Sequence, residues 1–231
     1  MSLKVSLLHP TRGRPKMAFD IFNEWVGKAV NPTEIEYIMT LDDDDLSIPA
    51  YQEELAKIDQ SKVGRFVFHI GTTRTCVDAL HQASLLMSPE TELIMGMTDD
   101  VWSMQDWDKL LFDILKPFNN FTEPKYIGVQ DGIHAFGAWL YLIINKAWYT
   151  KVGYVICTDY TGCYADNDMR EISIKLNCVI EAPQILFEHR HPCTGKGVWD
   201  ATYARHNNQN NMDENRKIFE ARSARGFDLN K

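Results

Sequence analysis

The 231-residue sequence has no CxxC pair, no HExxH and no apolar run near the roughly 20 residues of a membrane-spanning helix. Its cysteines, Cys76, Cys157, Cys163, Cys178 and Cys193, are five in number and irregularly spaced. That pattern argues against both a disulfide framework and a cysteine zinc site, and it fits a reducing cytoplasm. Positive charge is not in excess. The formal net charge is -8, which argues against general binding to a nucleic-acid backbone. A phosphate-bearing ligand stays compatible if a metal supplies the positive charge. Met1, Ser2, Leu3 and Lys4 run directly into a strand-like segment with no apolar signal region. The expectation is a cytoplasmic protein without a membrane span. No internal repeat and no linker composition divides the chain, so one domain over residues 1–231 is expected.

What is present is an ordinary globular composition, 45% hydrophobic and 24% charged, in which strand-like and helix-like patterns alternate. Alternation of this kind predicts an α/β layered fold. Residues 5–8 read as a first strand, followed by the loop Pro10, Thr11, Arg12, Gly13, Arg14, Pro15. Ala18, Ile21, Phe22, Trp25, Val26 and Ala29 then fall on one helix face. Residues 34–41, 65–70 and 92–97 read as the next three strands, and a helix with Cys76, Val77, Leu80, Ala83, Ser84 and Met87 inward precedes the last of them. A helix is expected around 106–115, strands at 125–129, 138–144 and 179–181, a helix at 166–176, and a His-, Arg- and Gly-bearing loop at 185–197. The tail from 201 onward is polar and partly helical in pattern, with an asparagine-rich interruption at 207–211.

Open α/β sheets bind ligands beyond the carboxyl ends of their strands. Three polar groups lie at such ends: Thr11, Arg12 and Arg14; the acids Asp42, Asp43, Asp44 and Asp45; and the pair Asp99 and Asp100. The pair follows the apolar strand Leu93, Ile94, Met95, Gly96, Met97, and its hard oxygens suit Mg²⁺ or Mn²⁺. Alternatively Asp99 caps the following turn. Four adjacent acids repel one another and mostly face water, so one or two of them at most are expected to touch a ligand. Arg12 and Arg14 are either diphosphate contacts or surface arginines. His189 and His191 point to one side if their segment is extended, and neutral imidazoles complete a site that carboxylates begin. Asp166 or Asp168 is either a helix N-cap or a general base.

In this order the motifs resemble the GT-A glycosyltransferases, specifically the large inverting family two, over about residues 4–195. The first loop is similar to the family's nucleotide-binding loop, and Asp42 is placed like its nucleoside-contacting acid. Gly71, Thr72, Thr73 and Arg74 are similar to the segment carrying a nucleotide-facing Arg or Asn. Thr98, Asp99 and Asp100 stand at the DxD position, with Thr98 in place of the first acid, which moves the expected metal contact to Asp100. Ala165, Asp166, Asn167 and Asp168 are similar to the family's ED motif, with Ala165 in place of Glu, and His189 and His191 lie where members place a metal-binding histidine. The resemblance implies a GT-A, Rossmann-like domain with a mixed central sheet flanked by helices. A nucleotide-binding half would span about 1–104, an acceptor-binding half about 105–200, and a polar helical tail 201–231. It implies transfer of a sugar, with inversion, from a nucleotide-diphosphate donor (a UDP-sugar by family expectation) to a hydroxyl of a glycan or other acceptor. Asp166 is then the catalytic base. Thr11, Arg12, Arg14, Asp42, Arg74 and Asp99 bind donor, and Asp100, His189 and His191 bind Mn²⁺ or Mg²⁺. Asp131, His134, Trp102 and Trp139 are candidate sugar-facing groups. Two other readings are a nucleotidyltransferase, whose first loop usually carries more glycine and a lysine, and a non-catalytic sugar-nucleotide or glycan-binding module, compatible with Thr98 and Ala165.

Overall fold

The first two strands are buried along almost their whole length, which requires cover on both faces of the sheet. The computed structural model describes residues 4–118, 121–138, 141–206 and 208–229. Strand β1 (Val5–Pro10) leads into helix α1 (Pro15–Gly27), and β2 (Ile35–Asp42) into α2 (Ile48–Leu55). Strand β3 (Arg65–Gly71) precedes α3 (Cys76–Leu85), and β4 (Leu93–Gly96) precedes the two-residue β5 (Val101–Trp102) and α4 (Trp107–Leu115). The second half holds β6 (Tyr126–Gln130), β7 (Ile143–Asn145), α5 (Lys146–Val152), α6 (Ala165–Lys175), β8 (Val179–Leu186) and β9 (Glu188–His189). Helices α7 (Ala201–His206) and α8 (Gln209–Ala224) follow.

Among the described residues, seven strands form one sheet in the order β3-β2-β1-β4-β7-β6-β8, and β5 pairs with β9 in a separate ribbon. The sheet is mixed: β1 is parallel to β2 and β4, whereas β7 is antiparallel to both β4 and β6. Alternate side chains of a strand go to opposite faces, and the two core layers follow that rule. Leu7, Tyr37, Met39, Met95 and Ile143 pack with Phe22, Trp25, Trp107 and Leu111 of α1 and α4. Leu8, Ile38, Ile94 and Ile144 pack on the other face with Val77, Leu80, Trp148, Met169 and Ile172 of α3, α5 and α6. Each such large apolar side chain contributes about 1.5–3 kcal/mol on full burial.

The strands expected at 5–8, 34–41, 65–70, 92–97 and 125–129 are present with small shifts of boundary. The one expected at 138–144 is a strand only over Ile143–Asn145; Trp139 and residue 140 lie outside the described residues. The one expected at 179–181 runs on to Leu186 because it pairs in parallel with β6. Cys76, expected inward, is exposed at the start of α3. Helices α2 and α5 have no clear sequence pattern. α2 follows the acidic run with Pro49 in its first turn, and α5 starts where Asn145 ends β7 and accepts a hydrogen bond from the Trp148 amide. The polar tail is packed onto the body. Arg222 of α8 donates to Asp168 of α6 at 2.6 Å, both of them buried.

Candidate active site

At the carboxyl end of β1 the chain leaves the sheet through Thr11, whose amide donates to the Thr40 carbonyl of β2 at 3.0 Å. Gly13 takes a left-handed conformation (φ 70°) that a side chain would strain, and its amide donates to Asp45 at 2.8 Å. Arg12 donates to Asp42 at 2.6 Å and also to Asp44. The other oxygen of Asp42 accepts from Thr73 at 2.6 Å, and Arg74 pairs with Asp43 at 2.8 Å. The four consecutive acids therefore do not share one fate. Asp42 and Asp45 are buried and fasten loops, while Asp43 and Asp44 stay in solvent and pair with arginines.

Beyond β4, Asp99 and Asp100 form a buried ledge. Asp99 Oδ1 is 3.0 Å from His9 Nε2 and accepts from Thr11 at 2.7 Å, and His9 Nδ1 is 2.7 Å from the Tyr37 hydroxyl. Its second oxygen faces Arg14 at 3.7 Å. Asp100 accepts from Thr98 at 2.7 Å and from the Tyr203 hydroxyl, and lies 3.1 Å from His189 Nε2. Burial opposes the charge of Asp100, but His189, Tyr203 and Thr98 outweigh it and hold the carboxyl well below the ordinary carboxylate range. Burial likewise opposes the charge of Arg14, which Asp200 and Asp99 keep above the usual arginine value.

The first turn of α6 separates Asp166 from Asp168. Asp168 is inside the core, held by Arg222 and by the Tyr160 hydroxyl at 2.8 Å, so it has no access to a ligand. Asp166 faces the cleft and accepts from the Asn167 amide at 2.9 Å. Burial raises its carboxyl above the ordinary value. Tyr164, just before this turn, is left-handed (φ 71°), an uncommon conformation for an aromatic residue and one found often at functional sites.

Every residue singled out from the sequence as catalytic, donor-binding or metal-binding lines a single cleft of about 540 Å³: Thr11, Arg12, Arg14, Asp42, Arg74, Asp99, Asp100, Asp166, His189 and His191. Asp131 and His134 do not line it. Asp131 is buried and bonded to the His134 ring at 2.5 Å and to the amides of Ile133 and His134 at 2.9 Å each. Trp102 lies under the Arg190 guanidinium at 3.8 Å, in a neighbouring cavity of about 330 Å³. Sequence reasoning missed His9 and Tyr51 beneath the ledge, and Thr202, Tyr203 and Arg205 on its far side. His9 ends an apolar strand, where a lone histidine gives no periodic signal. Trp199 and Tyr203, two aromatic residues in a mostly polar stretch, are the sequence signal for packing there.

A divalent cation suits this donor set in part. Asp100 and His189 are adjacent, and His189 Nδ1 is buried with no partner among the described residues. A carboxylate and an imidazole fit an ion that completes its shell with diphosphate and water. No three His, Cys, Asp or Glu side chains converge as a preformed metal cluster among the described residues. His191 lies next to His189, with ring centroids 5.3 Å apart, but its Nδ1 is 2.9 Å from Cys193 Sγ. Burial and His189 lower its pKa, which favours the neutral, ligating form.

No family model matches the sequence, and no curated protein matches it. Solved structures do. S. aureus TarS bound to UDP is 12% identical with a TM-score of 0.61, over 80% of this chain and 59% of that one. The mannosyltransferase PcManGT from Pyrobaculum calidifontis, in complex with GDP-Man and Mn²⁺, is 11% identical with a TM-score of 0.58, over 82% and 57%. The catalytic domain of Drosophila β1,4-galactosyltransferase 7, in complex with xylobiose, is 12% identical with a TM-score of 0.56, over 92% and 79%. The chain thus spans about 59% of the length of the TarS structure. With seven strands in this order and these neighbours, the chain has the GT-A fold of the nucleotide-diphospho-sugar transferases.

Proposed function

We propose that the protein is a glycosyltransferase that moves a sugar from a nucleoside-diphosphate donor to an acceptor hydroxyl, with inversion. The observation that carries this reading is the convergence of Arg12, Arg14, Asp42, Asp99, Asp100 and Asp166 on one cleft at the carboxyl edge of a GT-A sheet. Residues 1–104 supply the donor side and residues 105–200 the acceptor side of one domain, and the tail adds Tyr203 to the wall between them.

Arg12, Arg14 and Arg74 supply cationic groups for the nucleotide and its phosphates. Asp42 accepts a hydrogen bond from the nucleoside, and Asp99, fixed from beneath by His9 and Thr11, orients the ribose or the sugar. A divalent cation held by Asp100 and His189, with His191 as a further candidate ligand, would supply positive charge opposite the departing diphosphate. Asp166 takes the proton of the acceptor hydroxyl as its oxygen attacks the anomeric carbon; the bond to the diphosphate breaks on the opposite face. Its raised proton affinity suits that role, because a stronger base accepts the proton more readily. UDP is the first donor nucleotide to try and a glycan the first acceptor, since TarS is bound to UDP and the galactosyltransferase to xylobiose.

Nucleoside diphosphate released from a panel of nucleotide-sugars with Mn²⁺, by wild type and by Asp166→Asn, tests this reading. Turnover in wild type that collapses in the variant is expected. Equal turnover in both would remove the base assignment. Nucleotide binding without turnover on any acceptor would favour a sugar-nucleotide-binding module, the reading that Thr98 and Ala165 keep open.

A further inference from the structure

Residues 200–205 of the tail lie across the cleft and make contact with its donor-binding groups one after another. Arg14 donates to the Asp200 carboxylate through Nε and Nη2, at 2.7 Å each. This paired geometry is the one a guanidinium offers to a phosphate. Thr202 donates to the Arg12 carbonyl at 3.1 Å, and Arg205 to the Arg74 carbonyl at 2.5 Å. The Tyr203 hydroxyl donates to Asp100 on the oxygen that also faces His189. Its ring lies under the Arg14 guanidinium, 4.3 Å from centroid to carbon. The 540 Å³ cleft and the 330 Å³ cavity beside it share Asp99, Asp100 and Tyr203 in their walls, so this tyrosine helps to separate the two spaces.

The segment is held by polar clips more than by the core. Of residues 195–205 only Tyr203 is buried. Val198 is 75% exposed and Trp199 58%. Gly197 approaches the Arg190 carbonyl so closely that a Cβ would sit 2.4 Å from it. Segments with few buried apolar contacts open at low cost.

We propose that residues 200–205 act as a built-in competitor of the donor. Asp200 occupies Arg14 as a phosphate would, Tyr203 caps Asp100 where a cation would bind, and nucleotide with cation enters as the segment withdraws. This rests on the donor-site reading above. It differs from a lid that folds down on bound donor, because here the closed arrangement and the ligand exclude each other.

The test uses Asp200→Asn and Tyr203→Phe in the full chain, with UDP and GDP in the presence of Mn²⁺ as the probes. Asparagine keeps the cap that Asp200 makes with the Tyr203 amide at 2.9 Å, and phenylalanine keeps the ring packing. Each variant is expected to tighten nucleotide binding in calorimetry by about tenfold, the scale of one charge-assisted contact. Amide hydrogen exchange over residues 198–205 should accelerate in the free variants, and in wild type when nucleotide and Mn²⁺ are added. Binding that is equal or weaker in both variants, or protection of 198–205 by ligand, would overturn the competitor and leave the donor site standing. Absence of nucleotide binding in wild type and both variants would overturn the donor site itself, and the competitor with it.

Discussion

The ledge beyond β4 and the turn at the start of α6 each present two carboxylates, and they treat them in opposite ways. On the ledge both are fastened: Asp99 by His9 and Thr11, Asp100 by Thr98, Tyr203 and His189. In the turn one is fastened and the other left open. Asp168 is locked to Arg222 and Tyr160, whereas Asp166, half-buried and bonded to backbone amides alone, has its proton affinity raised. Donors aimed at a carboxylate lower its pKa and fix its place; burial without a countercharge raises it. A group that must stay charged to hold a ligand fits the first environment. A group that must gain a proton during a reaction fits the second.

The sharpest break of this comparison is Asp166→Asn. If the open carboxylate is the base, kcat should fall by about 10²–10⁴, with the melting temperature no lower than wild type because a charge that the fold disfavours has been removed. A melting temperature that falls together with activity would make Asp166 a structural residue instead. Next in size, Arg222→Met leaves Asp168 charged and unpaired in the core, and should cost about 3–5 kcal/mol in urea unfolding. Adding Asp168→Asn to that variant should recover part of the loss, a coupling that a double-mutant cycle measures. A smaller effect is expected on the ledge. Thr11→Val removes one of the hydrogen bonds on Asp99, worth about 1 kcal/mol, and should raise donor KM several-fold with little change in kcat.

The pH dependence is the finest test. If Asp166 is the base it works as the carboxylate, and because its pKa is raised the rate should fall on the acid side at a pH above that of an ordinary aspartate, about 3.9. Stability runs the opposite way to the rate. The fold favours the protonated acid, so the stability this group contributes is complete below its unfolded pKa and is lost as pH rises through the folded value. The acid limb of a kcat profile, and its loss in the residual rate of Asp166→Asn, reads this directly. A limb at the ordinary aspartate position would remove the raised proton affinity of Asp166 and end the distinction.

Much of this was legible from local pattern. Apolar runs and helix-spaced residues located most strands and helices, and with them the loops at the carboxyl ends of β1, β2 and β4, because periodicities of two and 3.6 residues are properties of neighbouring positions. The residues chosen at those ends do share a cleft. Short elements were not legible: β5, β9 and α5 are too brief to show a period, and β8 is longer than its pattern because β6 stabilises it by pairing.

What the sequence by itself determined is the order of elements and the set of charged groups brought to one edge of the sheet. The tertiary structure alone decided that both ledge carboxylates are fastened but only Asp168 of the turn pair, and that the polar tail returns to the cleft. The reason is separation along the chain. Asp100 and Tyr203 are 103 residues apart, Arg14 and Asp200 are 186 apart, and Asp168 and Arg222 are 54 apart. No local period encodes contacts at that distance; they exist only once the sheet and both helical layers have set the side chains face to face.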